Sequence, residues 1–191
     1  NGENDNVNGK ESAYGAIDYA DAAFWAKYDL RYILEVYDEN DNGTGTNIAA
    51  TRQYKYVDEY QQTTFEVKLV PNRKYKFVVW ADFVKDGKTD DLYYNTTDLR
   101  QISIITTAEG FNAMNEARDA YFITQNLEIK KDVNQTLVLK RPLAKLRVVT
   151  TDKQHWAKYA TPAQVVVKYY DSKLSNVFNA VNGNIDADNS P

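Results

Sequence analysis

Four positions in the first quarter of the chain have the types and spacing of a calcium loop: Asp38, Asn40, Asn42 and Gly43, reading D-x-N-x-N-G. Oxygen ligands at alternate positions, with a glycine at the sixth for the turn, suit a hard cation. The twelfth position, where a bidentate glutamate completes such a loop, is Ala49. Asp38 to Gly45 is therefore expected to be a solvated polar loop, with no metal site. His155 is the single histidine, beside Trp156, and there is no cysteine. One histidine cannot form a metal pair, and no thiolate is available as a nucleophile. His155 is expected to be a surface or packing residue. Among the carboxylates, Asp82 and the adjacent Asp90 and Asp91 stand out. Two carboxyl groups about 5 to 10 Å apart across a cleft could hydrolyse a glycosidic bond. Neighbours in an extended chain, however, project to opposite faces. No G-x-S-x-G, phosphate loop or dinucleotide fingerprint occurs. The residues thus assign no catalytic, cofactor-binding or metal-binding position, and the expectation is a protein that is not an enzyme.

The remaining chemistry is aromatic. Fifteen tyrosines and three tryptophans could stack on sugars from a β-face, although both types are also ordinary sheet residues. Trp80 falls opposite Tyr75, Phe77 and Val79 in its alternating segment, so another element must cover it or it is exposed. The sequons at Asn42, Asn95 and Asn134 are read as compositional in an Asn- and Thr-rich chain.

Elements able to position such groups are strands. In LRYILEVY, Leu30, Tyr32, Leu34 and Val36 face one way; in QYKY, Tyr54 and Tyr56 pair up; in TFEVKLV, Phe65, Val67 and Leu69 face in while Glu66 and Lys68 face out. KYKFVVWADF places Tyr75, Phe77, Val79, Ala81 and Phe83 on one face, and Lys74, Lys76, Val78, Trp80 and Asp82 on the other. LRQISII from Leu99, YFITQNLEIK from Tyr121, LVLKRPLAKLRVVTTD from Leu137 and AQVVVKYY from Ala163 continue the pattern. In the Leu137 run, Leu137 and Leu139 differ in parity from Ala144, Leu146 and Val148. A phase slip at Pro142 suggests a bulge or a change of sheet. Clean alternation predicts antiparallel strands with one wet face. Pro71-Asn72 reads as a tight turn, and Asp86-Gly87 as a hairpin dipeptide. One short helix is expected within FNAMNEARDAYF, which runs from Phe111 to Phe122. The predicted fold is all-β: a two-layer antiparallel Greek-key β-sandwich with one short helical insert. Phe65, Val67, Leu69, Tyr75, Phe77, Val79, Leu146 and Val148 are expected to be mostly buried.

At 191 residues the chain is long enough to bury a core without covalent staples. A net charge of -4, from 23 basic and 27 acidic residues, leaves no footprint for nucleic acid. No apolar run approaches the roughly 20 residues that span a bilayer. Residues 1–15, opening NGENDNVNGKES, are expected to be a flexible polar tether, residues 16–185 the sandwich, and residues 186–191 a tail.

Several of these segments carry a resemblance. DLRYILEVYDEN (Asp29 to Asn40), YKFVVWADF (Tyr75 to Phe83), RDAYF (Arg118 to Phe122), LVLKRPLAKLRVVTTD and VFNAVNG (Val177 to Gly183) resemble the N-terminal domain of Bacteroidales fimbrillin-like proteins, the type V pilins and minor fimbrial subunits. The similarity runs from about Trp25 to Gly183. It implies a transthyretin-like sandwich, and export as a lipoprotein to the outer membrane and cell surface. The lipidated cysteine would lie upstream of Asn1, the only membrane contact expected. The tail would lead toward a second domain. The implied role is a fimbrial or adhesin-type subunit that assembles by strand addition. Its partners would be other pilin or fimbrial subunits, or host or bacterial surface ligands. A carbohydrate-binding β-sandwich of a surface glycan-uptake system is the alternative. Coplanar exposed Tyr and Trp rings would favour the sugar; buried rings with an open apolar groove would favour strand exchange.

Overall fold

The computed structural model describes residues 20–39, 52–106, 115–143 and 176–185. Asn40 to Gly43, Ala49, Leu146, Val148, His155, Trp156, the Ala163 run, and both the tether and the tail lie outside the described residues. The fold is all-β, built from two antiparallel four-stranded sheets. The first sheet takes β1 (Tyr28–Asp38), β2 (Gln53–Val57), β3 (Arg73–Lys85) and β6 (Ala120–Ile129), in the order β2-β1-β3-β6. The second takes β4 (Tyr94–Asn95), β5 (Ile102–Ile104), β7 (Val177–Asn179) and β8 (Asn184–Ile185), in sequence order. The chain crosses from the first sheet to the second after β3, returns for β6 and crosses again to β7.

The register follows the alternation of the sequence. Leu30, Tyr32, Leu34 and Val36 lie opposite Phe83, Ala81, Val79 and Phe77, so all eight share one face. Arg31, Ile33 and Glu35 lie opposite Asp82, Trp80 and Val78 on the other. Trp80 is covered: Tyr94 meets it edge-on at 5.5 Å and Phe178 lies 6.0 Å away, bringing the second sheet onto this face. Trp80 is 1% exposed, so no sugar platform can form around it.

The opposite face is covered as well. A one-turn helix, α1 (Ala22–Trp25), is capped by the Asp21 carboxylate, which accepts from Ala23 N at 2.8 Å. It sets Phe24 edge-on to Phe83, with ring centres 5.1 Å apart. Farther along, Phe65, Val67, Leu69, Leu137 and Leu139 pack onto Leu34, Val36, Tyr75 and Val79. The two central strands are therefore buried on both sides, and the expectation of one wet face fails for β1 and β3. Their outward phase carries Ile33, Trp80 and Val78, apolar residues that a second sheet can cover.

Other expectations also shift. Tyr75 and Val79 are buried, but Phe65, Val67, Leu69 and Phe77 are only half-buried. Residues 61–70 join no ladder among the described residues, and their burial alternates, the inner side resting on the sheet and the outer side meeting solvent. Leu137 and Leu139 behave in the same way, and Lys140 alone makes a bridge, exchanging bonds of 2.8 and 2.9 Å with Phe122. The helical reading of Phe111 to Phe122 reduces, among its described residues, to the 3-10 turn Glu116–Arg118, capped by Asn115. Asp86-Gly87 does turn, with Gly87 at φ +62° and Lys88 N donating to Lys85 O at 2.9 Å. It closes no hairpin, because the chain leaves β3 for the other sheet. Asn72 adopts φ +59° at the Pro71 turn, a conformation its short polar side chain tolerates.

Three tyrosines in this core are held neutral. Tyr28, sharing a 3.5 Å hydroxyl contact with Tyr93 and partly buried, is pushed up to about 12. Burial and the Glu35 carboxylate that accepts its hydroxyl raise Tyr37. Burial and Asp82 raise Tyr94, whose hydroxyl donates to Arg118 O at 2.5 Å. Raised pKa values mean that the native state holds more protons than the unfolded chain above the ordinary tyrosine value of about 10. The stabilisation is complete below that pH and is lost as pH climbs through the folded values. Urea midpoints should hold steady up to about pH 10 and fall between about pH 10 and 12. A midpoint that stays level across that window would contradict these assignments.

Candidate functional site

Arg31 and Glu35 share the Ile33 face of β1, the outward phase of the alternation, yet each is only 2% exposed. Burying a charge is costly unless it is paired. Arg31 and Asp82 are register partners across the two central strands. The guanidinium grips that carboxylate with both arms, Nε to Oδ1 at 2.9 Å and Nη2 to Oδ2 at 2.8 Å. Its Nη1 reaches Asp91 Oδ1 at 2.8 Å and the Thr89 carbonyl at 3.4 Å. Burial raises Asp82, while Arg31 opposes that shift. Burial alone would lower Arg31; the hydrogen bonds and charges of Asp82 and Asp91 outweigh it and raise it. Asp91 also accepts from Thr96, from the main chain at 2.8 Å and from the hydroxyl at 2.8 Å.

A second guanidinium continues the network. Arg52 donates to Glu35 Oε1 at 2.6 Å, to the carbonyls of Thr96 at 2.5 Å and Thr97 at 3.0 Å, and to the Tyr54 hydroxyl at 2.6 Å. The result ties the edge strand β2 to the β4 segment across the flank of the sandwich. Above it opens a cleft of about 520 Å³ lined by Arg31, Arg52, Tyr54, Tyr56, Thr89 and Asp91, together with Thr96 and Thr97. Tyr54 and Tyr56 follow Ile33 and Arg31 in register, so both project from one face of β2 into this cleft. Their rings are parallel within 13°, with centres 6.5 Å apart, and they are 45% and 37% exposed.

The residues singled out in the sequence are thereby placed. Asp82 and Asp91 meet through Arg31, while Asp90 is exposed and Asp82 is sealed from solvent. Asp38 pairs with Arg73 at 2.5 Å. Among the described residues, no three His, Asp or Glu side chains gather as metal ligands, and no helix is long and apolar enough to cross a membrane. The pairing of Tyr54 with Tyr56 was legible from i, i+2 spacing. Arg31, Glu35 and Arg52 were not singled out. Arg31 and Glu35 fall on the phase opposite Leu30, Tyr32, Leu34 and Val36, where alternation expects solvent and charge is ordinary, so their burial left no local signal.

A second feature is a stretch of main chain held to the first sheet by side chains. Tyr32 donates to Gln61 O at 3.5 Å, Gln53 Nε2 to Glu66 O at 2.9 Å, and the Tyr75 hydroxyl bonds both Val70 O at 3.0 Å and Val70 N at 3.1 Å. Between these ties, residues 62–69 form no ladder with either sheet.

The chain belongs to a family of unknown function, DUF6562, whose model matches residues 3–190. Neither a curated protein nor a solved structure matches it.

Two outcomes follow from the ion pairs. Asp82→Ala should cost about 3 to 5 kcal/mol in urea unfolding, because Arg31 is left buried with half its partners. Replacing the pair together, Arg31→Met with Asp82→Leu, should recover most of that loss. If the double variant is as unstable as the single one, the pair is not the source. Isothermal calorimetry should find no stoichiometric Ca²⁺ binding at Asp38 to Gly43, since Arg73 already engages Asp38 and Ala49 supplies no oxygen. Sub-millimolar binding abolished by Asp38→Ala would refute this.

Proposed function

We propose that the protein is a cell-surface structural subunit of the fimbrial or adhesin type, exported to the outer membrane, that joins its partners by accepting a strand. The carrying observation is the extended segment at residues 62–69. Phe65, Val67 and Leu69 pack inward on the first sheet, Glu66 and Lys68 face solvent, and the main chain between them has no ladder partner among the described residues. Apart from the Glu66 carbonyl, which takes the Gln53 side chain, such a segment offers main-chain N–H and C=O groups outside any ladder of the described residues, beside pockets for alternate side chains, which is what strand addition uses. The resemblance of the β1, β3 and Leu137 segments to fimbrillin-like subunits supports the same reading. The partners would be other subunits of the kind, and the role needs no reactive side chain.

Proline separates the edge from the side chains, because it removes a donor while leaving neighbouring residues in place. In an extended chain, the N–H groups of Glu66 and Lys68 point to one lateral side and that of Val67 to the other. Proline at each of the three should leave far-ultraviolet dichroism and the thermal midpoint close to the parent, since no native ladder bond is removed. At least one lateral set should abolish surface polymers in the protein's own host, read as loss of the ladder on gels. Folded variants of both sets that assemble like the parent would overturn the proposal.

A further inference from the structure

The cleft at the β2 edge has a chemistry that strand addition does not use. One wall is the parallel and exposed pair Tyr54 and Tyr56. Arg52 sets the first ring, bonding its hydroxyl at 2.6 Å while its guanidinium carbon sits 5.3 Å from the ring centre. The facing wall is Thr89, Asp91, Thr96 and Thr97, a set of hydroxyls, carbonyls and one carboxylate.

Charge narrows the ligand. Arg31 and Arg52 lie in the cleft but are committed to Asp82, Asp91, Glu35 and main-chain carbonyls. Two guanidiniums stand against three carboxylates. A phosphate or an acidic polymer would meet a floor that is already neutralised and slightly negative. A neutral ligand with an apolar face and a polar rim would not. The volume of about 520 Å³ falls within the roughly 300 to 1,000 Å³ of small-molecule sites. Phenol rings supply a flat apolar face with a polar tip, and the orientation of Tyr54, already set by Arg52, costs little entropy on binding.

We infer that this cleft binds a neutral saccharide, with pyranose C–H faces stacked on Tyr54 and Tyr56 and ring hydroxyls bonded to Asp91 and to the exposed Thr89 and Thr97. The inference stands apart from how subunits join, since residues 62–69 play no part in it.

The test is a panel of neutral oligosaccharides of glucose, xylose, mannose, galactose and N-acetylglucosamine, screened on an array and measured by calorimetry. Binding to at least one is expected. Tyr54→Ala and Tyr56→Ala should each weaken it about tenfold or more, and Tyr56→Phe should retain it. Tyr60→Ala, outside the cleft, should leave it unchanged. Thr97→Trp, at an exposed position where the Arg52 bond is made by the main chain, should block the cleft while keeping the parent's thermal midpoint; this variant decides the matter if a tyrosine variant fails to fold. Three results would overturn the inference: no saccharide of the panel binding, binding kept by the Tyr54→Ala, Tyr56→Ala double variant, or binding confined to acidic polymers and lost in high salt.

Discussion

The bidentate pair of Arg31 with Asp82 is the constraint around which the rest of the protein is arranged. Both side chains lie in the sandwich, on neighbouring central strands at one register position. A slip of one residue between β1 and β3 would put the two charges on opposite faces, leaving one of them unpaired among apolar side chains such as Leu30, Ala81 and Phe83. The pair therefore fixes the register that apolar alternation leaves nearly degenerate, because both faces of these strands are apolar. A buried ion pair is poor evidence for stability, but fixing one arrangement against its neighbours is its best-attested use. The third arm of Arg31 extends the constraint outward by holding Asp91, which holds Thr96, and so carries the crossover between sheets.

Much of this was legible in the chain. Strand after strand alternates as its residues dictate, and the register of Leu30 with Phe83 and Leu34 with Val79 puts the anticipated faces together. The requirement that Trp80 be covered follows from its parity alone, and Tyr94 and Phe178 meet it. What alternation cannot convey is the number of layers. A strand whose two phases both hold large apolar residues is covered twice, and only the identities of Ile33, Val78 and Trp80 hinted at it. Alternation is equally silent on pairing. Phe65 to Leu69 alternates as cleanly as β3, yet joins no ladder among the described residues, because side-chain parity records which way residues point and not whether a neighbouring backbone is there.

The candidate sites divide along the same line. Tyr54 and Tyr56 announce a shared face by their spacing. The cleft they border could not be read, since its other wall comes from residues 89–97, more than thirty positions away and on the far side of a crossover. Long-range closure of this kind leaves no local periodicity. Nor does a lone Arg or Glu in a strand declare its partner: Arg31 and Asp82 are separated by 51 positions.

The bridge between Phe122 and Lys140 has a mechanical meaning. β1 and β3 face each other over eleven paired positions, so a pull along their length loads many bonds at once. Among the described residues, the segment beyond β6 is paired with that strand by one two-bond exchange, with the Arg141–Asp119 contact at 2.9 Å just after it. Tension entering at Lys140 acts on this attachment first, and its bonds open in succession, as a zip does. The molecule thus has a sacrificial element in series with a stiff one: a tug at that end is spent in peeling a short stretch of chain, and the Arg31–Asp82 clamp feels it last.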